Sequence, residues 1–255
     1  MLFLDVQGTL LSDADKSLID GAKTLISFLN SKNLAYLIIT NNTKKLNFLE
    51  ELRTKGLEIK QNAYLDPFCV FNRLLKPCKV AAYGSKEFLQ SIENLGYELD
   101  FKTPNAVLIA SYDDFKFDDF ASIIEFAQND VKIIAMHETS IYKKNHRLYP
   151  GVGSVMAMIQ NASGCDYEVV GKPSFAFYKQ ALTLIKEQNP RLEFKDITIV
   201  SDDFKGDLLK AKELGMKCVL VLSGKISSTK GLDTSILDGV FESILEFEKE
   251  FECKV

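Results

Sequence analysis

The chain lacks the features that would place it outside the ordinary folded proteins. Its five cysteines, Cys69, Cys78, Cys165, Cys218 and Cys253, are odd in number and show no paired metal spacing. That argues against a disulfide framework or a zinc module and fits reduced thiols in a cytoplasmic protein. No apolar run approaches the roughly 20 residues of a membrane span. The chain starts at once with strand-like residues rather than a basic region and an apolar core, so no secretory signal is expected. Positive charge is not in excess: the formal net charge is −4, and no helix carries a basic stripe, which argues against nucleic acid as a partner. Internal repeats and low-complexity segments are also missing.

What is present is an alternation of strand-like and helix-like segments over 255 residues, enough for one large or two moderate domains. The opening run Leu2-Phe3-Leu4-Asp5 reads as a buried strand ending in a carboxylate, followed by a turn at Gly8. Residues 17–29 have helical spacing and 34–39 form an apolar strand ending in Thr40-Asn41-Asn42. Thr43 is expected to cap the next helix, and residues 63–72 to hold a short helix. From Lys79 a second strand–helix series begins: strands at 79–83, 106–110 and 131–136, helices at 85–95, 118–128 and 155–162. The sheet of the first series is expected to resume at 168–170, before Gly171-Lys172-Pro173-Ser174, with a further strand at 196–200 ending in Ser201-Asp202-Asp203. This order predicts an α/β fold: a Rossmann-like parallel-sheet core made of residues 1–78 and 167–255, with a smaller α/β domain, 79–166, inserted into it.

In open parallel sheets, chemistry sits beyond the carboxyl ends of the strands. Asp5, Thr40-Asn41, Lys172 and Asp202 all fall there, and each suits phosphoryl transfer. A carboxylate can attack phosphorus. A hydroxyl and an amide can donate to equatorial oxygens, and an ammonium can neutralise their charge. Two carboxylates from different strands can hold Mg²⁺. Taken alone, each has an ordinary structural explanation: a turn bond, a helix cap, a solvated lysine, a carboxylate at a helix start. The ordered set is what points to chemistry.

The set LDVQGTL, TNN, VVGKPS and SDDFKGD resembles the four motifs of the haloacid dehalogenase superfamily of hydrolases, and the inserted domain resembles the large α/β cap of its p-nitrophenylphosphatase-like subfamily. The resemblance implies that Asp5 is a nucleophile forming a phospho-aspartyl intermediate. It implies phosphate binding by Thr40, Asn41 and Lys172, and Mg²⁺ held by Asp5, Asp202 and the main-chain carbonyl of Gln7. Asp203 and Asp207 would be outer partners of the metal site. The substrate would be a small phosphorylated metabolite, such as a nucleoside monophosphate, a sugar phosphate, phosphoglycolate or pyridoxal phosphate.

One departure stands out. The family phosphatases carry a second aspartate two residues after the nucleophile, which protonates the leaving oxygen and later activates water. Here that residue is Gln7, whose amide neither gives nor takes a proton near neutral pH. General acid–base catalysis is typically worth about 10²–10⁴-fold. The expectation is therefore a slow phosphatase, with a catalytically impaired phosphate-binding protein as the alternative and hydrolysis of a carbon–phosphorus bond ranked last. Ser201, where the family often has glycine, is expected to matter little. Both histidines, His137 and His146, and the basic cluster Lys143, Lys144 and Arg147 lie in the cap, where they would contact substrate or simply be solvated. The sequence does not fix the oligomeric state; a homodimer is compatible with it.

Overall fold

The computed structural model describes residues 1–144 and 147–254. In chain order the elements begin with β1 (Leu2–Asp5), α1 (Ala22–Ser31), β2 (Tyr36–Ile39), α2 (Phe48–Thr54), β3 (Tyr64–Leu65) and α3 (Pro67–Leu74). Then come β4 (Lys79–Tyr83), α4 (Lys86–Asn94), β5 (Glu98–Leu99), β6 (Ala106–Ile109), α5 (Phe117–Gln128) and β7 (Lys132–Ala135). A hairpin, β8 (Ile141–Lys144) and β9 (Arg147–Pro150), precedes α6 (Val152–Ser163), β10 (Glu168–Val169) and α7 (Phe175–Gln188). The chain closes with β11 (Thr198–Ser201), a π-helical turn (Phe204–Leu208), α8 (Leu209–Glu213), β12 (Lys217–Val221), β13 (Gly239–Phe241) and α9 (Ile244–Lys254).

These elements form two units. The first comprises residues 1–40, 47–65 and 178–255; the second comprises 41–46 and 66–177. The first holds a six-stranded sheet in the order β13-β12-β11-β1-β2-β3, every pair parallel. All four residues of β1 and of β2 are buried, as expected for strands covered on both faces. Successive side chains alternate between faces. Leu2 and Leu4 accordingly join one cluster with Leu25, Ile26 and Leu29 of α1 and Phe247 of α9. Full burial of each such side chain contributes roughly 1.5–3 kcal/mol. α1 begins later than the helical spacing predicts, at Ala22, because Gly21 takes a left-handed φ of 91° against the backbone of Leu245.

The second unit holds a five-stranded sheet, β10-β7-β6-β4-β5, also parallel, and the antiparallel β8–β9 hairpin. Its core gathers Ala81, Val107, Ile109, Ile123, Ile133, Met156 and Ile159.

Two expectations need correction. The strand at Glu168–Val169 does not rejoin the first sheet; it pairs with Ile134 and Ala135 of β7. Residues 66–78 and 167–177 group with the second unit. A two-residue strand has no periodicity from which to read its partner. Thr43 does not cap α2, whose N-cap is Asn47. The short helix expected within residues 63–72 is α3, with Pro67 at its start after β3 and the capping carboxylate of Asp66. Among the described residues no helix is long and apolar enough to cross a membrane.

Candidate active site

β1 delivers Asp5 at the carboxyl end of the six-stranded sheet. Its neighbours are fixed by register: Asp5 lies opposite Ile39 of β2, and Leu4 opposite Val200 of β11. β11 therefore brings Asp202, just past its last residue, alongside. Both carboxylates are withdrawn from water, Asp5 at 6% and Asp202 at 1% exposure.

The Asp202 carboxylate sits in a slot made by two glycines. A Cβ on either Gly8 or Gly224 would overlap it, and their own α-carbons approach so closely that a Cβ on Gly224 would lie 2.7 Å from the Gly8 α-carbon. Gly8 also takes a φ of +73°, which side-chain-bearing residues rarely adopt. The Lys225 main-chain N–H donates to Asp202 Oδ2 at 2.6 Å, and Ser223 Oγ donates to the Gly8 carbonyl at 2.7 Å. The turn after β12 thus closes over the turn after β1.

Burial, and then the negative charge of Asp5, push the proton affinity of Asp202 well above the usual carboxylate range. Two acids held in this way repel when ionised. A divalent cation would offset that repulsion, and the available donors are all oxygen, which suits a hard ion. Among the described residues no three His, Cys, Asp or Glu side chains cluster as a metal site. Asp5 and Asp202 would need carbonyl and water oxygens to complete a coordination shell. The residues fit a hard cation on those terms. One residue past Gly8, the Thr9 hydroxyl is buried and has no hydrogen-bond partner among the described residues.

Behind Asp202 lies a second layer of hydrogen bonds. Asp203 accepts from the Gly206 N–H at 2.8 Å and pairs with the Lys225 ammonium. Burial opposes the charge on Lys225, but the Asp203 and Asp202 carboxylates outweigh it and raise its proton affinity. Ser201 Oγ donates to Asp207 Oδ2 at 2.6 Å and accepts from the Asp203 N–H at 3.1 Å. Fully buried Tyr178 donates its hydroxyl proton to the Asp207 carbonyl at 3.3 Å; burial and the Asp207 charge hold that phenol far above its usual range.

Sequence reasoning missed several of these residues. Ser201, expected to be inconsequential, joins Asp203 to Asp207. Gly224 and Lys225 were not singled out, although a Ser-Gly-Lys turn directly after a strand is a readable signal. Tyr178 had none, being one more aromatic on a helix.

Gln7 follows Asp5 by two residues. Its Oε1 accepts from the Lys16 ammonium at 2.8 Å.

In the second unit Asn41 and Lys172 meet. Asn41 Oδ1 accepts from the Lys172 N–H at 2.8 Å, while Asn41 Nδ2 donates to the Lys172 carbonyl and to Thr139 Oγ1, both at 3.2 Å. An amide nitrogen has two hydrogens. Both are engaged here, so Asn41 grips the Lys172 backbone and the Thr139 hydroxyl. Lys172 is 2% exposed, and its bond to Pro173 is cis. Thr40 belongs to the first unit and is buried at the end of β2, its N–H donating to the Leu65 carbonyl at 3.1 Å. Of the two histidines, His137 is buried in the second unit, its Nε2 2.9 Å from Ser111 Oγ and its Nδ1 accepting from the Thr139 N–H at 3.3 Å. His146 lies outside the described residues.

Comparison with known proteins agrees with this architecture. A haloacid dehalogenase-like hydrolase family model matches residues 2–98, and a HAD-hydrolase-like model matches 169–247. The chain is 26% identical over 234 residues to the human (Homo sapiens) phospholysine phosphohistidine inorganic pyrophosphate phosphatase, covering 88% of this chain and 83% of that protein. It is 22% identical over 235 residues to the ribonucleotide monophosphatase NagD of Escherichia coli K12, covering 90% of each. Its fold matches the p-nitrophenyl phosphatase of Archaeoglobus fulgidus with a TM-score of 0.81 and 22% identity over 98% of both chains. The chain belongs to the haloacid dehalogenase-like hydrolases.

Proposed function

We propose that this chain is a Mg²⁺-dependent phosphatase of small phosphorylated metabolites, acting through a phospho-aspartyl intermediate on Asp5. The observation that carries the reading is the pair of buried carboxylates, Asp5 and Asp202, with Asp202 held in a slot that admits no side chain at Gly8 or Gly224. The names of the relatives support the reaction class, since each is a phosphatase.

In the first step an Asp5 oxygen forms a bond to phosphorus as the bond to the leaving oxygen breaks. Water then attacks phosphorus, the bond to Asp5 breaks, and the carboxylate is restored. Thr40 donates to the phosphoryl oxygens, and the Lys172 ammonium is the group that the family resemblance assigns to neutralise them. Asn41 acts through Lys172 by fixing its main chain. Asp5, Asp202 and the Gln7 carbonyl would hold a hard cation, which would supply charge neutralisation for the phosphoryl group. Asp203 and Asp207, through Lys225 and Ser201, hold the Asp202 loop in place.

A panel of phosphate esters assayed with Mg²⁺, beside Asp5→Asn, tests this. Asp5-dependent phosphate release is expected; release that survives unchanged in the variant would overturn the reading. Gln7 favours a second reading, a phosphate-binding protein with little turnover. It would be supported if phosphorylated ligands raised the melting temperature without product release.

A further inference from the structure

The sheet of the second unit has a switch point of its own. β4 leads to β5 on one side and β6 leads to β7 on the other, so the chain changes direction between β4 and β6. Open parallel sheets bind ligands in the crevice beyond the strand carboxyl ends at such a point. Ala110-Ser111 follows β6 there, with Met136-His137 after β7 and Gly171-Lys172 beyond β10. Ser111 and His137 each stand two residues past a register pair, Ile109 and Ala135, that faces the core shared with α5 and α6. Their side chains meet.

The His137 ring is held in one tautomer. Nδ1 accepts from the Thr139 N–H at 3.3 Å, so the ring proton is on Nε2, which donates to Ser111 Oγ at 2.9 Å. A hydroxyl that accepts from the ring turns its own hydrogen elsewhere. Ser111 is only partly buried and has no second hydrogen-bond partner among the described residues. Its O–H is left to donate to a ligand.

The same edge carries Lys172. A Cβ on Gly171 would lie 2.8 Å from the His137 Cβ, and the Glu138 N–H donates to the Lys172 carbonyl at 3.1 Å. Asn41, bonded to the Lys172 N–H and carbonyl, also donates to Thr139 Oγ1 at 3.2 Å. Hydrogen bonds thus link Lys172, Asn41, Thr139, His137 and Ser111, all within the second unit. From β10 to β6 is two strand spacings, roughly 10 Å, which a small metabolite spans.

We propose that Ser111 selects the substrate: its hydroxyl donates to an oxygen of the organic part of the phosphate ester. His137 is the positioning residue that leaves this hydrogen free. The inference rests on the phosphatase reading above and narrows its substrate class to esters whose alcohol carries a further hydroxyl or carbonyl oxygen.

Glycerol 1-phosphate and n-propyl phosphate share a carbon skeleton and differ in two hydroxyls, so together they test the contact. The wild type should have the lower KM for the glycerol ester. Ser111→Ala should raise that KM about 3–10-fold, the worth of one neutral hydrogen bond, with kcat and the propyl ester KM changed no more than about twofold. Ser111→Thr, which keeps the hydroxyl, should retain the preference. His137→Phe should give the same selective rise, and adding it to Ser111→Ala should raise the KM no further. No preference in the wild type, an unchanged glycerol ester KM in Ser111→Ala, or an equal rise on both esters would overturn the proposal while leaving the phosphatase reading standing. A wild type with no Asp5-dependent hydrolysis of these or any other phosphate ester would overturn both.

Discussion

The Asp202 slot and the Gln7 corner lie on the same turn yet are built differently. Asp202 is buried and held by a main-chain N–H, by two glycines without side chains, and by a layer behind it that runs through Ser201, Asp203 and Asp207. Gln7 is only partly buried, and its amide oxygen is met by a half-exposed lysine on a hairpin. The difference teaches that the Asp202 end of the turn tolerates little change, whereas the Gln7 corner rests on a surface contact that one side chain can alter.

The strongest way to break this contrast is at the rigid end. Asp5→Asn should lower turnover about 10³-fold or more, because losing a nucleophile removes the route and not merely an increment of rate. Gly224→Ala should follow. A Cβ there collides with the Asp202 carboxylate and the Gly8 backbone, and overpacking of this kind typically costs about 1–3 kcal/mol, readable by urea unfolding. Turnover should fall in the same variant. If Gly224→Ala keeps both stability and activity, the slot is not rigid.

Divalent cation gives a third, intermediate effect. Mg²⁺ at about 100 times its dissociation constant should stabilise the fold by about 2.7 kcal/mol, seen as a higher Tm, and Asp202→Asn should lose this response. The sign without cation is opposite. Asp202 binds its proton more tightly folded than unfolded, so its contribution to stability falls as pH rises above the ordinary 3.8. Asp202→Asn should therefore be more heat-stable than the wild type at pH 8 in chelator. Ser201→Ala, which removes a donor from the buried Asp207 carboxylate, should cost about 1–3 kcal/mol.

The smallest effect belongs to the Lys16 hairpin. The main-chain N–H of Ser17, and then its hydroxyl, lower the Asp15 carboxyl from 3.8 to about 2. That stabilisation is complete above pH 3.8 and is lost as pH falls through about 2. The Ser17 amide resonance should titrate with a midpoint near 2, leaving the hairpin unchanged across the neutral range. A midpoint near 4 would show that the carboxylate does not hold the loop.

The longer strands of both sheets were readable because buried parallel strands are continuous apolar runs, as at Leu2-Phe3-Leu4 and Tyr36-Leu37-Ile38-Ile39. Asp5 and Asp202 were readable because each ends such a run. Less legible was what depends on a through-space partner. β10 reads as a strand of the first sheet but pairs with β7 in the second, the β8–β9 hairpin was not expected, and Asn41 gave no sign that its amide would grip Lys172. Ser201 and Lys225 take their importance from neighbours on other loops, which a motif does not record. Gln7 was visible as a departure, but the lysine bonded to it was not, since the link depends on a left-handed residue inside a turn.

The central claim is that Asp5 carries the phosphoryl group. Acid quenching of a single turnover on a phosphate ester, followed by mass spectrometry of the peptide containing residue 5, tests it most directly. One added phosphoryl group on Asp5, appearing before phosphate is released and absent in Asp5→Asn, is the expected result. Phosphate release with Asp5 unmodified at every quench time would contradict it.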